Sequence, residues 1–355
     1  MKIALLTDSH AGVRNDSPAF ADYMKRFYDE VFFPYLDDNA IHTVIHCGDI
    51  VDRRKYINIQ TAYRLRTDLI EPAINRNITW HQIIGNHDTY HKNTNEVSSF
   101  KELFGRYYKF ANLNIYDKAT EIKLDGVKAL LVPWICDDNR DHSLKLIKET
   151  DAKIAFGHLE LQGFEMYKGS VMYHGDDPAL FGHFDIVCSG HYHHRSNRGN
   201  IHYLGSPAEY TWSDYNDPRG FHVFDTETNE LTFIQNPYSM FKKVWYNDQH
   251  TNLMEKIDVS QYKDCILKII VTQKNNPYYF DRFVDKIEKV NPIEIQIVED
   301  HLNLGMEDDE DIVNEAESTV DIFKKYIETS ESKGVDKKKI EKTILELYHE
   351  ALNLE

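Results

Sequence analysis

The chain has 355 residues, of which 41% are hydrophobic and 28% charged, with 16 Gly and 10 Pro. This composition is typical of a globular protein of two or three domains, and it excludes a fibrous or wholly disordered chain. Its four cysteines form no CxxC pair, so they predict neither a disulfide framework nor a thiolate zinc site, and we expect a reducing cytoplasm. The formal net charge is −17, which disfavours a nucleic-acid partner only if it is spread evenly, and residues 301–355 alone hold 15 acidic against 7 basic side chains.

The chain opens with MKIALLTDSH, a short apolar run that ends in polar side chains. A signal peptide would need a continuous apolar run where Asp8 stands. No apolar run approaches the roughly 20 residues that span a bilayer. We therefore expect neither secretion nor a membrane segment.

The same pattern, a buried strand that ends directly in a polar cluster, recurs four more times. Predicted helices Phe20 to Leu36 and Ile59 to Ile74 separate the first three strands, so the first hundred residues predict a mostly parallel α/β sheet with helical cover. Such sheets bind ligands beyond the carboxyl ends of their strands. The five runs are KIALL before Asp8 and His10, TVIHC before Gly48 and Asp49, ITWHQII before Gly85, Asn86, His87 and Asp88, AKIAF before Gly157 and His158, and FDIVCS before Gly190, His191 and His193.

The chain beyond Pro237 predicts a second unit without a histidine cluster. A strand from Cys265 to Thr272, a helix from Tyr279 to Val290 and a strand from Ile293 to Val298 predict a small α/β cap. We expect it to position the substrate.

The C-terminal segment predicts a tether and a docking element. The run EDDEDIVNEAE is typical of a solvated linker. Amphipathic helices from Val320 to Thr329 and from Asp336 to Leu354 cannot bury their apolar faces alone, so we expect them to dock on a partner. The predicted domains are residues 1–237, a cap at 238–300, a linker at 301–318 and a helical docking element at 319–355.

The ligand chemistry of the five clusters predicts a metal centre. Residues i and i+2 of an extended strand point the same way, so Asp8 and His10 could converge on one ion. Oxygen and imidazole donors without thiolate suit manganese, magnesium, iron or zinc, and mixed sites of five or six ligands favour manganese or iron over structural zinc. We expect manganese, with magnesium as an alternative. Two ions about 3.5–4 Å apart can activate a hydroxide and clamp a phosphate, which is the arrangement that phosphoester hydrolysis needs.

Together the five clusters resemble the complete motif set of the calcineurin-like metallophosphoesterases, which have an α/β sandwich fold. With the cap and the C-terminal helices, the whole chain resembles SbcD, the nuclease subunit of SbcCD-type DNA repair complexes, and is similar to the phage-encoded recombination nucleases. The resemblance implies that His87 is the general acid and that Asp88 orients it. It also implies that one ion is held by Asp8, His10, Asp49 and His193, and the other by Asp49, Asn86, His158 and His191.

The resemblance further implies metal-dependent hydrolysis of DNA in repair, recombination and replication. The expected activities are a 3′ to 5′ exonuclease on duplex DNA and an endonuclease on single strands. The expected partner is an SbcC-like coiled-coil ABC ATPase, bound through the C-terminal helices in a heterotetramer. Homodimerisation would use helices such as Ile59 to Ile74, and the location would be the host cytoplasm for a phage protein.

The loops near the clusters offer candidate DNA contacts. Basic side chains there could neutralise phosphates, and Tyr90 and His91 could stack on bases. The basic candidates are Arg14, Arg53, Arg54, Lys55, Lys92 and Lys168.

One departure from the SbcD pattern leaves two alternatives open. Cellular SbcD proteins commonly have His three residues after the bridging Asp, where this chain has Asp52. The segment from Gly48 to Arg54 is therefore also similar to the GDxVDRG motif of Ser/Thr protein phosphatases. Against a phosphatase, Ile84 rather than Arg precedes Gly85, and the paired His191 and His193 are unusual there. The other alternative is a catalytically silent scaffold that recruits an ATPase to DNA, and the intact ligand set argues against it.

Overall fold

The computed structural model describes residues 1–105, 112–249 and 257–299. The predicted linker and helical docking element lie outside these residues and stay predictions. The strands, β1 to β17 in chain order, are Lys2–Leu6, Thr43–His46, Thr79–Ile83, Leu113–Tyr116, Thr120–Leu124, Val127–Val132, Ile154–His158, Glu165–Tyr167, Ser170–Val171, Ile186–Gly190, Ser196–Arg198, Ile201–Tyr203, Gly220–Asp225, Glu230–Gln235, Phe241–Asn247, Ile266–Gln273 and Glu294–Glu299.

Two six-stranded sheets form the main body of the described chain. The first has the order β14-β13-β1-β2-β3-β4, with β1 to β4 parallel and β13 antiparallel to β1. The second has the order β11-β12-β10-β7-β6-β5, with β12, β10, β7 and β6 parallel. Strands β8 and β9 form a separate hairpin. The predicted α/β sandwich is therefore the observed architecture.

The sandwich is held together by apolar side chains from the facing sides of both sheets. Leu5 and Ile45 of the first sheet pack in one cluster with Phe156 and Cys188 of the second, and all four are fully buried. Burial of such side chains stabilises the fold by about 1.5–3 kcal/mol each. This packing places the carboxyl ends of the parallel strands of both sheets at one edge.

Helices cover the outer faces of the two sheets. The first sheet packs against residues 18–38 and 59–75, where α-helical segments flank π-helical turns at Tyr28–Phe32 and Leu65–Ile70. The predicted helices over Phe20 to Leu36 and Ile59 to Ile74 are confirmed with small shifts at their ends. The α-helices, α1 to α7 in chain order, are Pro18–Phe27, Phe33–Asp38, Ile59–Arg64, Glu71–Asn75, Ser99–Phe104, Arg140–Glu149 and Pro277–Glu288. Short 3₁₀ turns lie at Pro178–Phe181, Trp212–Asp214 and Val259–Tyr262.

Residues 13–16 form a tight turn with left-handed backbone, directly after the first polar cluster. Arg14, Asn15 and Asp16 all have φ between 55° and 59°, in the left-handed region that costs an L-residue about 1–2 kcal/mol. Hydrogen bonds hold the turn in place: the Asp16 carboxylate accepts from Thr61 at 2.6 Å and from Arg53 at 2.8 Å.

The cap is a three-stranded parallel sheet in the order β15-β16-β17 with α7 on one face. Its core is apolar, with Leu267, Ile269 and Phe283 each fully buried. The two strands and the helix predicted for it are present within two residues of the expected bounds. Phe241, the first residue of β15, instead packs in the main core against Phe20 and Trp212.

No helix in the described ranges combines the length and the apolar character that a membrane crossing requires.

Candidate metal centre

Three glycines allow the strand ends to approach each other at the site. A Cβ on Gly48, whose φ is +102°, would lie 2.4 Å from His158 Nδ1. A Cβ on Gly85 would lie 2.2 Å from Asp49 Oδ1, and one on Gly190 would lie 1.9 Å from Thr7 Oγ1. Real Cβ atoms do not tolerate such distances, so the glycine of each motif is required by close packing.

The backbone at several candidate ligands is left-handed. Asp8, His10, Asp49 and His191 have φ of 50°, 42°, 56° and 90°, a region that non-glycine residues rarely adopt. The expectation that Asp8 and His10 converge because they continue an extended strand is therefore wrong. They converge because the chain turns sharply after β1, held by backbone hydrogen bonds from Asp8 to Gly48 and from His10 to Asp49.

The first group of candidate ligands joins the ends of β1 and β10. Ligand atoms of Asp8, His10 and His193 all lie within 4.8 Å of one another, and His10 Nε2 is 3.0 Å from His193 Nε2. The Asp8 carboxylate accepts a hydrogen bond from Thr7 Oγ1 at 2.7 Å and from the His191 backbone N–H at 3.2 Å. These bonds fix the carboxylate beside the two imidazoles.

The second group joins the ends of β2, β3, β7 and β10. Ligand atoms of Asp49, His158 and His191 also lie within 4.8 Å of one another. Asn86 Oδ1 is 2.9 Å from His158 Nε2 and 3.0 Å from His191 Nδ1. His158 Nδ1 donates to the Cys47 carbonyl at 2.8 Å, so its Nε2 is directed into the group.

Asp49 lies between the two groups. Its Oδ2 is 3.8 Å from His10 Nε2 and 3.3 Å from His158 Nε2. Its other oxygen accepts the His87 backbone N–H at 2.8 Å. One carboxylate therefore faces both groups, as a ligand shared between two ions would.

Electrostatics of the site favour bound cations. Burial alone would lower the pKa of His10, but the neighbouring carboxylates of Asp52 and Asp49 raise that pKa to about 9. Burial likewise opposes protonation of His158, yet Asp49 raises the pKa of His158 to about 9. Burial and the neighbouring His158 lower the pKa of His191 to about 3. The buried carboxylates thus favour positive charge on His10 and His158, and two divalent ions would supply that charge in place of the protons. The oxygen and imidazole donors fit such ions.

The two residues predicted for proton transfer differ in their surroundings. His87 is half-buried, and its Nδ1 lies 2.6 Å from the main-chain oxygen of Asp52. The Asp88 carboxylate is fully buried and accepts the backbone N–H groups of Gly85, Asp49 and Ile50 at 2.8–2.9 Å. The expectation that Asp88 orients the His87 ring is wrong: Asp88 joins the loops after β2 and β3, and the His87 ring pairs with residue 52.

The structure adds supporting residues that the sequence did not single out. The Tyr210 hydroxyl donates to the Asp8 carbonyl at 2.8 Å, and its ring packs against the rings of His10 and His193. Arg219 is buried and donates one hydrogen bond to the His193 carbonyl. It donates another to the Asp214 carboxylate, at 2.7 Å. These residues come from positions after 209 that carry no local motif, so only the fold relates them to the site.

The predicted DNA-contact residues fall into two sets. Arg14 donates to the Tyr210 carbonyl at 2.8 Å, Arg53 pairs with Asp16 at 2.8 Å, and Arg54 donates to the Thr89 carbonyl at 3.2 Å. These arginines are engaged by the protein itself. The rings of Tyr90 and His91 lie 4.7 Å apart. The exposed set consists of Lys55, Tyr90, His91, Lys92 and Lys168.

Comparison with known proteins places the chain in a family. Residues 1–195 match the family model of the calcineurin-like phosphoesterases. The chain is 34% identical over 331 residues to exonuclease subunit 1 of Enterobacteria phage T4, covering 92% of each protein. It is 25% identical over 320 residues to the SbcD subunit of the nuclease SbcCD from Staphylococcus epidermidis, covering 79% of this chain and 78% of that protein. Among solved structures, it is similar to an archaeal phosphodiesterase at 16% identity and a TM-score of 0.34, covering 66% of this chain and 100% of that one. The chain therefore belongs to the calcineurin-like phosphoesterase family.

Proposed function

We propose that this protein hydrolyses DNA phosphodiester bonds at a centre of two divalent ions, as a 3′ to 5′ exonuclease on duplex ends and an endonuclease on single strands. The observation that carries the proposal is the position of Asp49, whose Oδ2 faces His10 on one side and His158 on the other. A carboxylate shared in this way is what a two-ion phosphoesterase needs.

We propose that the candidate ligands divide between two ions as the resemblance implies. Asp8, His10 and His193 would hold one ion, Asn86, His158 and His191 would hold the other, and Asp49 would bind both. When bound, the ions would supply positive charge to a phosphate and a nucleophilic hydroxide at neutral pH. The donors are all oxygen or imidazole nitrogen, so we propose Mn²⁺, with Mg²⁺ as the alternative.

His87 is proposed to protonate the leaving oxygen. A carbonyl oxygen can only accept, so the contact with Asp52 requires a proton on His87 Nδ1. The acid form then carries its second proton on Nε2, the nitrogen free to reach a substrate. A positioned acid of this kind contributes about 10²–10⁴-fold to a rate. Asp88 supports this role indirectly, because it fixes the Gly85 loop from which His87 projects.

The exposed residues beside the centre are proposed to contact DNA. Lys55 and Lys92 would neutralise phosphates, and Tyr90 with His91 would stack on an unpaired base. Arg14, Arg53 and Arg54 would act on DNA only if it displaced their present acceptors.

The partner is proposed to be an SbcC-like coiled-coil ABC ATPase that gates access of DNA, docked through residues 319–355. The names of both relatives, each given as one subunit of a nuclease, support a multi-subunit complex. A homodimer contact through α3 is supported by Ile59 and Tyr63, which are 89% and 52% exposed. Leu65 and Leu69 of the same segment are buried in the core and would not contribute.

A cleavage assay with Mn²⁺ separates the proposed nuclease from its alternatives. We expect release of nucleotides from the 3′ end of a labelled duplex and cutting of circular single-stranded DNA, with no dephosphorylation of a phosphopeptide. Phosphopeptide turnover without DNA cleavage would assign the chain to the phosphatases. Two bound ions without hydrolysis of either substrate would favour the scaffold.

A truncation tests the docking element. Removal of the residues after Asp311 should abolish binding to the ATPase in a pull-down and spare Mn²⁺-dependent cleavage of simple DNA. Unchanged ATPase binding would refute docking through residues 319–355.

A further inference from the structure

Asp52 is the acidic residue at which the chain departs from the SbcD pattern, and its surroundings suggest a specific task. Its carboxylate Oδ1 lies 3.5 Å from His10 Nδ1, and its main-chain oxygen lies 2.6 Å from His87 Nδ1. The rings of His10 and His87 meet edge to face, with centroids 4.9 Å apart. A single residue thus faces both a candidate metal ligand and the candidate acid.

The His10 ring needs an acceptor at its Nδ1. Its Nε2 faces His193 and Asp49, which is the direction of the first ligand group. A histidine that binds a metal through Nε2 carries its remaining proton on Nδ1. Yet His10 is 4% exposed, and its Nδ1 is a buried atom without a hydrogen-bond partner among the described residues. At 3.5 Å the Asp52 carboxylate is too distant for a formed hydrogen bond, but it is positioned to accept that proton after a small movement.

We propose that Asp52 is a positioning residue that accepts the Nδ1 proton of His10 through its side chain and the Nδ1 proton of His87 through its main chain. Carboxylates behind metal-binding histidines fix the ring and raise its basicity, and their removal typically costs about 10–100-fold in metal affinity. The inference rests on the proposed two-ion centre but not on the identity of the substrate.

The two contacts use different atoms of Asp52, so a side-chain substitution can separate them. A side-chain substitution removes only the contact to His10, because the main-chain oxygen remains to hold His87. Asp52→Leu removes the acceptor with a similar volume, and Asp52→Asn keeps an acceptor oxygen without the charge. Asp37→Asn is a matched control, because Asp37 is a half-exposed carboxylate paired with Arg76 away from the site.

The experiment measures Mn²⁺ binding by calorimetry and by electron paramagnetic resonance, in the absence of DNA. We expect Asp52→Leu to weaken the binding of one Mn²⁺ by about 10–100-fold, Asp52→Asn to retain most of the affinity, and Asp37→Asn to bind like the parent protein.

Two results would overturn the proposal. These are parental Mn²⁺ affinity in Asp52→Leu, and equal losses of Mn²⁺ affinity in the Leu and Asn variants. The side chain of Asp52 is 26% exposed, so the variants are expected to fold; Asp52→Ala serves as a smaller truncation should the Leu variant not fold. A parent protein that binds two ions but leaves DNA intact would refute the nuclease proposal alone, because the binding measurement would still test Asp52.

Discussion

The two described α/β regions, residues 1–237 and 238–299, both pair parallel strands and pack helices on them, but they differ at the ends of their strands. In the first region, left-handed Asp8 and Asp49 follow the ends of β1 and β2, and their carboxylates lie buried beside imidazoles. In the cap, the core is made of apolar side chains such as Leu267 and Phe283. Among the described residues, every grouping of His, Cys, Asp and Glu close enough to hold a metal lies in the first region.

The candidate chemistry of the molecule therefore lies in the first region, together with left-handed backbone and buried charge. Left-handed backbone and buried charge destabilise the folded state, and they persist only where the surrounding structure fixes them. The sandwich supplies that support through glycine contacts, Asp88 and Tyr210. Among the described residues of the cap, Asp264 and Asn291 are left-handed and Lys268 is a buried charge. None of them belongs to the apolar cluster around Leu267 and Phe283, so changes in that cluster should affect folding more than metal binding.

The largest expected effect is that of Asp49→Ala. It removes the ligand that faces both groups, so we expect loss of at least one bound Mn²⁺ and loss of detectable DNA cleavage. Calorimetric titration gives the number of ions, and a plasmid-cutting assay gives the activity. Binding of two ions with parental affinity in this variant would show that Asp49 is not a ligand shared by the two ions.

His87→Ala should separate turnover from metal binding. We expect both ions to bind as in the parent protein while kcat falls by about 10²–10⁴-fold, because a general acid acts only on the reacting bond. Mn²⁺ titration and single-turnover cleavage on one preparation make this test. Loss of metal in the variant would mean that His87 is a ligand rather than an acid.

Phe283→Ala tests the cap side of the comparison. The ring is fully buried against Tyr246, with centroids 5.1 Å apart, so its removal should destabilise the cap by about 3–5 kcal/mol. Hydrogen exchange should then report weaker protection in β15 to β17, with Mn²⁺ affinity unchanged. A parallel fall in metal affinity would show that the centre depends on the cap.

Gly190→Ala should have a smaller effect on stability but a direct one on the site. The added Cβ would meet Thr7 Oγ1 at 1.9 Å and Asp8 Oδ2 at 3.0 Å, so we expect a cost of about 1–3 kcal/mol and weaker metal binding. Gly182→Ala is the control, because its Cβ would meet only the Ala179 carbonyl, at 3.3 Å. Equal thermal midpoints and metal affinities for the two variants would contradict the close-packing argument.

Local pattern was enough to predict the strands that lead to the site, the two early helices and the cap elements. Their hydrophobic runs are short and end in polar clusters, which is a strong signal. The second sheet was harder to predict from the sequence. Its β5–β6 hairpin turns at Asp125 and Gly126, whose φ angles are 50° and 83°. This Asp-Gly pair is a typical hairpin-turn signal, but no hairpin was predicted from it.

The predicted ligands come together, but the roles of their neighbours required the fold. Asp88 follows His87 in the sequence, and Asp52 belongs to the motif that contains Asp49. Only the hydrogen bonds of the structure show that the His87 ring contacts residue 52 and not the Asp88 carboxylate. Tyr210 and Arg219 act on ligands that are remote in sequence, so no spacing along the chain could indicate them. The left-handed turns after β1 and β2 depend on contacts between loops, so the local conformational preferences of their residues do not predict them.

The most direct test of the central claim is anomalous scattering from crystals of the full-length protein grown with Mn²⁺. We predict two peaks about 3.5–4 Å apart, one beside Asp8, His10 and His193 and the other beside Asn86, His158 and His191, with Asp49 between them. A single peak at saturating Mn²⁺, or peaks bound by other side chains, would contradict the account.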